Sequence, residues 1–448
     1  MKKPIPYLVL CLLLLTVLYF SYRMTRTPLP ASDFSAPEAE ALVSLPLTEE
    51  ILSDHLLRVQ EEFKVPPGFY ALVKFWFGVY SRYTSDHIIV HDSESPGLVY
   101  AVLDFSRLGD ANLHRFARSA IVQRISQEKR EEYVAVLRGL ADGKTDSRLA
   151  LGVLQAVERA GVVMPKDELE RRKFFLAKAE TLRTQTGQRN LIEQGLEKSE
   201  AYYSFFKDMF QAFRLPDELF AIPFLESSFN TQAESKVGAK GIWQLMPSIG
   251  RLLLPASNLQ IDYRLNPFIS TVAALHLLRE NKLVLRSWDM AVAAYNSGTK
   301  HLQLARKQHG ARSLVEVFER YRHPHLGFAS KNFFAEFLAL VHVMAYQDEI
   351  FSRPVFTYTA PSSVRFLVSK CDFTPRSLFG KLITEENFVR LNPHLLLPTR
   401  KYPRGTLLVD QGELSPKQFL AVTKKDLVKL KPADWPKRLL ANQSCSTR

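Results

Sequence analysis

Residues 215–247 read LPDELFAIPFLESSFNTQAESKVGAKGIWQLMP, and this stretch decides the fold. Pro216 suits a first helical position, and Asp217 favours the positive end of a helix dipole. An apolar stripe then recurs at helical spacing as far as Glu226, with Pro223 expected to kink the axis. The pattern therefore predicts a largely buried helix that ends close to Glu226.

Glu226 lies between apolar neighbours at the end of this predicted helix. Leu225 and Phe229 should leave its carboxyl group poorly solvated, and desolvation raises the pKa of a carboxyl group. Such an acid can donate a proton near neutral pH, as a glycosidase acid must. An arbitrary glutamate at a helix end is usually an exposed surface residue, so the assignment depends on the residues that surround Glu226.

A tight turn follows the predicted helix. Gly238 and Gly241 bracket it in the sequence GAKG, and two glycines allow backbone to come close to a ligand. Trp243, Gln244 and Met246 then follow in quick succession. Because aromatic faces pack against the C–H groups of sugars and amides bond to hydroxyls, we expect this surface to contact a glycan.

Three motifs occur in order along the chain: ESSFN at 226–230, AESKVGAKGIWQLMP at 233–247 and AAYNSG at 293–298. Together they resemble the catalytic domain of the lytic transglycosylases, a lysozyme-like helical fold that cleaves the peptidoglycan glycan. The resemblance covers about residues 187–351. Within the family, the chain is most similar to the membrane-bound lytic murein transglycosylases of the D type.

The resemblance implies a role for each matching residue. Glu226 would be the catalytic acid, with the Tyr295 side chain near it. The residues implied to bind substrate are Ser235, Gln244, Met246, Tyr295 and Asn296. For Tyr295, a core tyrosine with a satisfied hydroxyl remains the alternative interpretation.

The expected mechanism has to work without a second catalytic carboxylate. Most glycosidases use two carboxylates, but here only Glu226 is embedded in a recognisable motif. Glu336, within the helical pattern of residues 325–346, is the one extra carboxylate of interest, and we interpret it as a helix-stabilising or network residue. The resemblance implies that Glu226 suffices: it would protonate the bond between N-acetylmuramic acid and N-acetylglucosamine, and the muramyl C6 hydroxyl would close a 1,6-anhydro ring. No metal or cofactor is expected.

Three functions remain open at this point. The chain could be a lytic transglycosylase, a hydrolytic muramidase that uses water, or a non-catalytic peptidoglycan-binding scaffold. A formal net charge of +13 suits an anionic partner, and no nucleic-acid motif accompanies that charge. We therefore expect peptidoglycan glycan strands as the partner, and not nucleic acid. The sequence indicates no particular protein partner.

The N-terminal segment has the composition of a membrane anchor. Two lysines precede an apolar run over residues 5–22, about the length that spans a bilayer. A cleaved signal peptide is the alternative, but no A-x-A pattern follows the run. We expect an uncleaved anchor over residues 1–24 and a linker over residues 25–46. The expected substrate then implies a cell-envelope protein, anchored in the inner membrane with its catalytic domain in the periplasm.

The rest of the chain divides into four regions. Residues 47–186 contain helical patterns and two β-rich runs, HIIVHD and LVYAVLDF, which predict a helical accessory domain with one hairpin. The catalytic domain over residues 187–351 precedes a region similar to a degenerate LysM module over residues 352–412, and then a basic tail over residues 413–448. The fold is therefore expected to be mainly α, with a lysozyme-like catalytic domain, a helical accessory domain and a small α+β C-terminal module.

Some local features allow more than one interpretation. Apolar spacing predicts helices over residues 52–63, 73–80, 112–140, 146–160, 167–184, 266–281 and 288–297. His87, His91 and Asp92 lie in the first β-rich run, but two histidines four residues apart on a strand do not converge easily on a metal. The LysM-like region could bind glycan or only pack. The sequence does not decide whether Cys371 and Cys445 form a disulfide.

Overall fold

The computed structural model describes residues 47–108, 114–321, 323, 326, 328–360, 362–369, 372–378, 384–397, 399–411 and 427–430. The expected anchor and linker, Cys371 and Cys445 lie outside these residues. Among the residues that are described, no helix is both long enough and apolar enough to cross a bilayer. The fold is mainly α with two small antiparallel sheets, as predicted.

The chain divides into two compact units. Within the described residues, the first unit contains residues 47–52 and Pro67–Asn190, and the second contains Ser53–Pro66 and the residues from Leu191 onward. The segment Ser53–Pro66 thus belongs with the second unit, although it lies between two parts of the first. No local sequence pattern indicates this exchange.

The first unit is helical and contains one three-stranded sheet. Its elements are α1 (Thr48–Leu52), α2 (Tyr70–Ser81), β1 (His87–Asp92), β2 (Val99–Asp104), α3 (Arg115–Ala141), α4 (Arg148–Arg159), α5 (Glu168–Thr181) and β3 (Leu182–Thr186). Strand β1 is central and pairs antiparallel with β2 and β3. The predicted hairpin is therefore confirmed.

Two predicted helices differ from the structure, one at its end and one over its whole length. The helix expected over residues 167–184 ends at Thr181, because the next residues pair with the free edge of β1 as strand β3. The helix expected over residues 52–63 is absent, since the chain turns where Asp54 and Leu57 adopt φ values of 57° and 53°. Both errors come from tertiary contacts that override local spacing.

The buried polar side chains of β1 form a structural network. His91 is buried, and its Nδ1 lies 3.1 Å from the carbonyl oxygen of Asp92. The Asp92 carboxylate in turn accepts a hydrogen bond of 2.9 Å from Lys178 Nζ on α5. Burial lowers the pKa of His91 to about 4. Nowhere in the described part of the chain do three His, Cys, Asp or Glu side chains group as metal ligands.

The second unit holds the remaining elements. Its helices are α6 (Arg189–Ser199, at the boundary), α7 (Tyr203–Phe213), α8 (Ile222–Ser227), α9 (Pro247–Leu253), α10 (Pro267–Leu285), α11 (Trp288–Ser297), α12 (Lys300–His309), α13 (Leu314–Arg320), α14 (Phe328–Ala345), α15 (Gln347–Phe351), α16 (Pro375–Leu378) and α17 (Glu385–Leu391). Its strands are β4 (Arg365–Ser369), β5 (Leu407–Asp410) and β6 (Leu427–Leu430), with β4 in the centre of the sheet. Helices α10, α11 and α14 confirm three of the predicted helices.

An aromatic core holds the helices of this unit together. The Phe206 ring of α7 packs 4.6 Å from Phe220 and stacks on Trp243 at 5.9 Å. Phe205 meets Phe268 of α10 edge to face at 5.0 Å. Buried aromatic rings of this size dominate the packing energy of a domain, so they fix where α8 and the following loop lie.

The C-terminal sheet region is packed directly onto the helices. The backbone N–H of Asp262 donates to the carbonyl oxygen of His394 at 2.9 Å, and the Tyr263 hydroxyl accepts from the N–H of Leu407 at 3.1 Å. The His394 ring is fully buried and lies 3.0 Å from the Asn266 amide. Burial lowers the pKa of His394 to about 4. These contacts give the region a packing role, whereas glycan binding by it stays a prediction.

Candidate active site

Helix α8 begins later than the sequence suggested. Asp217–Ala221 form a turn of 3₁₀-helix, and the α-helix starts at Ile222. Pro223 therefore lies in the first turn, where a missing backbone N–H breaks no hydrogen bond. No helical hydrogen bond is therefore lost at Pro223, which removes the reason to expect a kink there.

The end of α8 is set by two residues in the left-handed region. Ser228 and Phe229 have φ values of 48° and 57°, and their N–H groups donate to the carbonyl oxygens of Phe224 and Pro223 at 2.8 and 3.1 Å. Because the chain reverses there, Glu226 is held one residue before the end of the helix. The Phe229 side chain returns to the core with no exposed surface.

The Glu226 carboxyl group is half-buried and strongly perturbed. Its pKa rises from 4.5 to about 8, chiefly because the surrounding protein desolvates the charged form, and secondly because of the negative charge of Glu336. Among the described residues Glu226 has no ion-pair partner that would offset this. The carboxyl group therefore retains its proton at neutral pH, as the sequence predicted.

Glu336 is the residue that the sequence interpretation undervalued. It lies on α14, which packs against α8, and burial raises its pKa to about 8 as well. The two carboxyl groups are within electrostatic range of each other although they are far apart in the chain. The sequence feature that could have indicated a buried Glu336 is its position as the single carboxyl group inside the apolar run FFAEFLAL.

Tyr295 borders the same carboxyl group from α11. Its hydroxyl donates a hydrogen bond of 2.7 Å to the carbonyl oxygen of Trp243. Burial and, to a lesser degree, the charge of Glu226 raise the pKa of Tyr295 well above 10. Tyr295 is therefore a neutral phenol that lies beside Glu226. Its hydrogen bond also links α11 to residues 233–246, the loop that contains GAKG and is called the glycine-rich loop below.

The glycine-rich loop is fixed by close backbone packing. Gly241 has a φ of 74°, and a Cβ atom added there would lie 2.0 Å from the carbonyl oxygen of Arg264. The Ser227 hydroxyl donates to the carbonyl oxygens of Pro223 and Ile242 at 3.0 and 3.1 Å. The loop is thereby attached to the end of the helix that carries Glu226.

Ser235 and Gln244 use part of their polar groups inside the loop. The Ser235 hydroxyl accepts a hydrogen bond of 2.9 Å from the N–H of Ala239. The Gln244 amide nitrogen donates to the carbonyl oxygens of Gly241 and Ala233 at 2.9 and 3.2 Å. Within the described residues, this orientation leaves the Gln244 carbonyl oxygen available as a hydrogen-bond acceptor.

The remaining predicted residues differ in exposure. Met246 exposes 40% of its surface, and Asn296 is exposed in the last turn of α11. Trp243 is fully buried, and its indole N–H donates to the Thr271 hydroxyl at 2.8 Å. The expectation that the Trp243 ring faces a sugar is therefore wrong, because the ring is packed inside the aromatic core.

Residues 205–317 match the transglycosylase SLT domain family. The resemblance drawn from the three motifs is thereby confirmed, since Glu226, the glycine-rich loop and Tyr295 all lie inside the SLT domain. The matched segment runs from α7 to α13 and contains the aromatic core. It does not include Glu336.

The chain is also similar to curated proteins. The chain is 36% identical over 116 residues to membrane-bound lytic murein transglycosylase D of Escherichia coli (strain K12), which covers 26% of each protein. It is 33% identical over 102 residues to a putative tributyltin chloride resistance protein of Alteromonas sp. (strain M-1), covering 22% of this chain and 49% of that one. The chain thus aligns with about a quarter of the length of the first of these relatives.

Among solved structures, the chain is similar to an inactive mutant of the lytic transglycosylase Slt from Pseudomonas aeruginosa. The two are 17% identical, and the superposition covers 51% of this chain and 32% of that chain with a TM-score of 0.25.

Proposed function

We propose that this protein is a peptidoglycan lytic transglycosylase in which Glu226 is the catalytic acid and base. The reaction cleaves the β-1,4 linkage between N-acetylmuramic acid and N-acetylglucosamine without consuming water. The observation that carries the proposal is the protonated, partly desolvated carboxyl group of Glu226 at the junction of α8 and the glycine-rich loop. A carboxylic acid with a pKa near 8 is matched to proton donation at neutral pH.

The electrostatics of Glu336 favour a reaction with one acid. A two-carboxylate glycosidase needs one protonated and one ionised group, and it obtains them from environments that push the two pKa values apart. Here the pKa values of Glu226 and Glu336 are both raised to about 8. At neutral pH neither is a ready nucleophile or base, so a nucleophile from the substrate itself fits the site better.

The proposed reaction conserves every atom of the substrate. Glu226 gives its proton to the glycosidic oxygen, and the bond between that oxygen and muramyl C1 breaks. The resulting Glu226 carboxylate takes the proton of the C6 hydroxyl as O6 bonds to C1. The products are a 1,6-anhydromuramyl end and a new N-acetylglucosamine 4-hydroxyl, and the enzyme is returned to its protonated state.

Four other residues of the motifs complete the proposed cleft. The Gln244 carbonyl oxygen and the Ser235 hydroxyl would bond to substrate polar groups, and exposed Met246 and Asn296 would contact the glycan. Tyr295 would hold the loop in register with Glu226 through its bond to the Trp243 carbonyl oxygen. Support for these roles comes from the motif match and from the exposure and orientation of the side chains.

The decisive experiment combines a variant with a product analysis. Purified peptidoglycan is digested, and the soluble fragments are weighed by mass spectrometry. Fragments one water lighter than the hydrolysis products support the transglycosylase, whereas hydrated fragments establish the muramidase alternative. Glu226→Gln should reduce fragment release by at least about 100-fold. Glu197→Gln, at an exposed site on α6, is the matched control and should cleave normally.

We further propose that residues 1–24 anchor the protein in the inner membrane, with the catalytic unit in the periplasm. The support is the apolar run over residues 5–22 and the membrane-bound relative. Washing membranes with alkaline carbonate tests this. The full chain should stay in the pellet, and a chain lacking residues 1–24 should be released; release of the full chain would contradict the anchor.

A further inference from the structure

A second pocket, of about 530 Å³, lies in the same unit as the catalytic glutamate but is not lined by it. Four parts of the chain form its wall: the segment Ser53–Pro66, the residues that follow α7, the last turns of α10 and the first residue of α11. A volume of this size suits a ligand of a few residues or one small cofactor. No role assigned so far uses this pocket.

The lining of the pocket is basic. Arg214, Arg279 and Lys282 give three positive charges against the single carboxylate of Glu62, a net charge of +2. Lys282 Nζ lies 3.4 Å from the Glu62 carboxylate, so that acid is already engaged. In the described part of the chain, no carboxylate pairs with Arg214 or Arg279. Two guanidinium groups therefore remain available for an anion.

Aromatic rings hold two of these cations in place. The Arg279 guanidinium lies 5.6 Å from the centre of the Phe213 ring, and Lys282 Nζ lies 5.0 Å from the centre of the Trp288 ring. Such contacts restrict long basic side chains before a ligand arrives. An arginine oriented in this way can bind a carboxylate through two parallel N–H···O bonds.

The pocket is close to the catalytic site along α11. Trp288, in the pocket wall, and Tyr295, beside Glu226, are seven residues apart on this helix, which corresponds to about 10 Å along its axis. An extended peptide covers that distance in about three residues. The axial separation of the two side chains is therefore comparable with the length of a short peptide.

We propose that this pocket binds a carboxylate of the peptide stem carried by the glycan strand. The proposal rests on the proposed function, since the stem is attached to the muramyl sugar. Arg214 and Arg279 would hold the carboxylate, while Leu215, Pro216 and Trp288 would pack against the apolar part of the peptide. The phosphate of an anionic lipid offers similar oxyanion chemistry, and the experiment separates the two sources.

The test measures binding by calorimetry on the full chain carrying Glu226→Gln, so that turnover does not interfere. The probes are the free wall tetrapeptide, the same peptide with every carboxyl group amidated, and inorganic phosphate. Only the carboxylate peptide should bind well. Arg214→Gln and Arg279→Gln together should weaken its binding by roughly tenfold or more. Phosphate that binds as tightly as the peptide would overturn the assignment to a stem.

Arg286 supplies a matched control. Arg286 and Arg214 are both exposed arginines at a helix end with a positive φ, 68° for Arg286 and 54° for Arg214. Arg286 lies outside the pocket. Arg286→Gln should leave tetrapeptide binding unchanged. If Arg286→Gln weakened tetrapeptide binding as much as the pocket double variant, which carries Arg214→Gln and Arg279→Gln, the effect would be one of general charge and the proposal would be overturned.

A second measurement separates this proposal from the catalytic one. In the otherwise native chain, the pocket double variant should cleave peptide-free glycan at the normal rate and peptide-bearing glycan with a raised KM. If the double variant cleaves both substrates normally, and the Glu226→Gln chain with both arginines intact does not bind the tetrapeptide, only the pocket proposal is overturned. Cleavage that survives Glu226→Gln would overturn only the catalytic assignment, because tetrapeptide binding would still be readable.

Discussion

Replacing Glu226 by Gln should abolish cleavage and at the same time stabilise the folded protein. In the folded state the pKa of Glu226 is about 8, against 4.5 for an ordinary glutamate. Between these pH values the unfolded chain loses the proton while the folded protein keeps it, so the wild-type free energy of unfolding falls as pH rises. Glutamine does not titrate and avoids this loss. The stabilisation should therefore be small near pH 4.5 and largest near pH 8.

The size of the effect follows from the displacement of the pKa. The interval from 4.5 to about 8 is worth at most about 5 kcal/mol, at ~1.4 kcal/mol per pH unit. Because part of the side chain remains accessible to water, solvent screening reduces this, and we expect ~2 kcal/mol. For a folding unit of this length, that corresponds to a rise of roughly 4–8 °C in Tm.

Thermal unfolding followed by circular dichroism at pH 5 and pH 8 measures this difference. Glu197→Gln is the control, because an exposed glutamate on α6 should shift neither Tm value. A Glu226→Gln variant that is no more stable than the wild type at pH 8 would contradict a raised pKa of Glu226. An equal gain in stability at both pH values would also contradict it, since only a titrating group produces a pH-dependent gain.

Three further substitutions and one control variant test neighbouring features. Glu336→Gln removes the negative charge that raises the pKa of Glu226, so the alkaline fall of the cleavage rate should move to lower pH; a pH–rate profile with an unmoved alkaline limb would contradict this. Gly241→Ala should destabilise by more than ~2 kcal/mol in urea unfolding, because it combines a positive φ with a backbone clash. Gly310→Ala, with a similar φ and open space, should cost only about 1 kcal/mol, and equal costs would count against the clash. Tyr295→Phe leaves the Trp243 carbonyl oxygen without its donor, so it should cost about 1 kcal/mol of stability and lower kcat. Unchanged stability together with an unchanged kcat would contradict a positioning role for Tyr295.

The local chemistry of the site could be predicted because it is encoded in neighbouring residues. Leu225 and Phe229 flank Glu226 in the sequence, and both the burial of the carboxyl group and its raised pKa follow from that pattern. Gly241 signalled a close backbone approach, and its nearest contact is indeed a carbonyl oxygen. Helices α10 and α11 were likewise visible from the local sequence, whereas α14 was expected from the resemblance to the family.

Other features depend on contacts between distant parts of the chain. Glu336 reaches Glu226 only because α14 packs on α8, and no local pattern encodes that packing. Trp243 has a sequence context that suits sugar binding, but the aromatic core takes up its ring. Strand β3 forms because β1 offers a free edge, although the local spacing favours helix.

The proposed reaction requires that the Glu226 carboxyl group hold its proton at neutral pH. The most direct measurement is a pH titration by NMR of protein in which the side-chain carboxyl carbon of every glutamate is labelled with ¹³C. The Glu226 signal is identified by its loss in the Glu226→Gln variant. A titration midpoint near 8 is the result expected from the structure. A midpoint near the ordinary value of 4.5 would contradict the assignment of Glu226 as the proton donor.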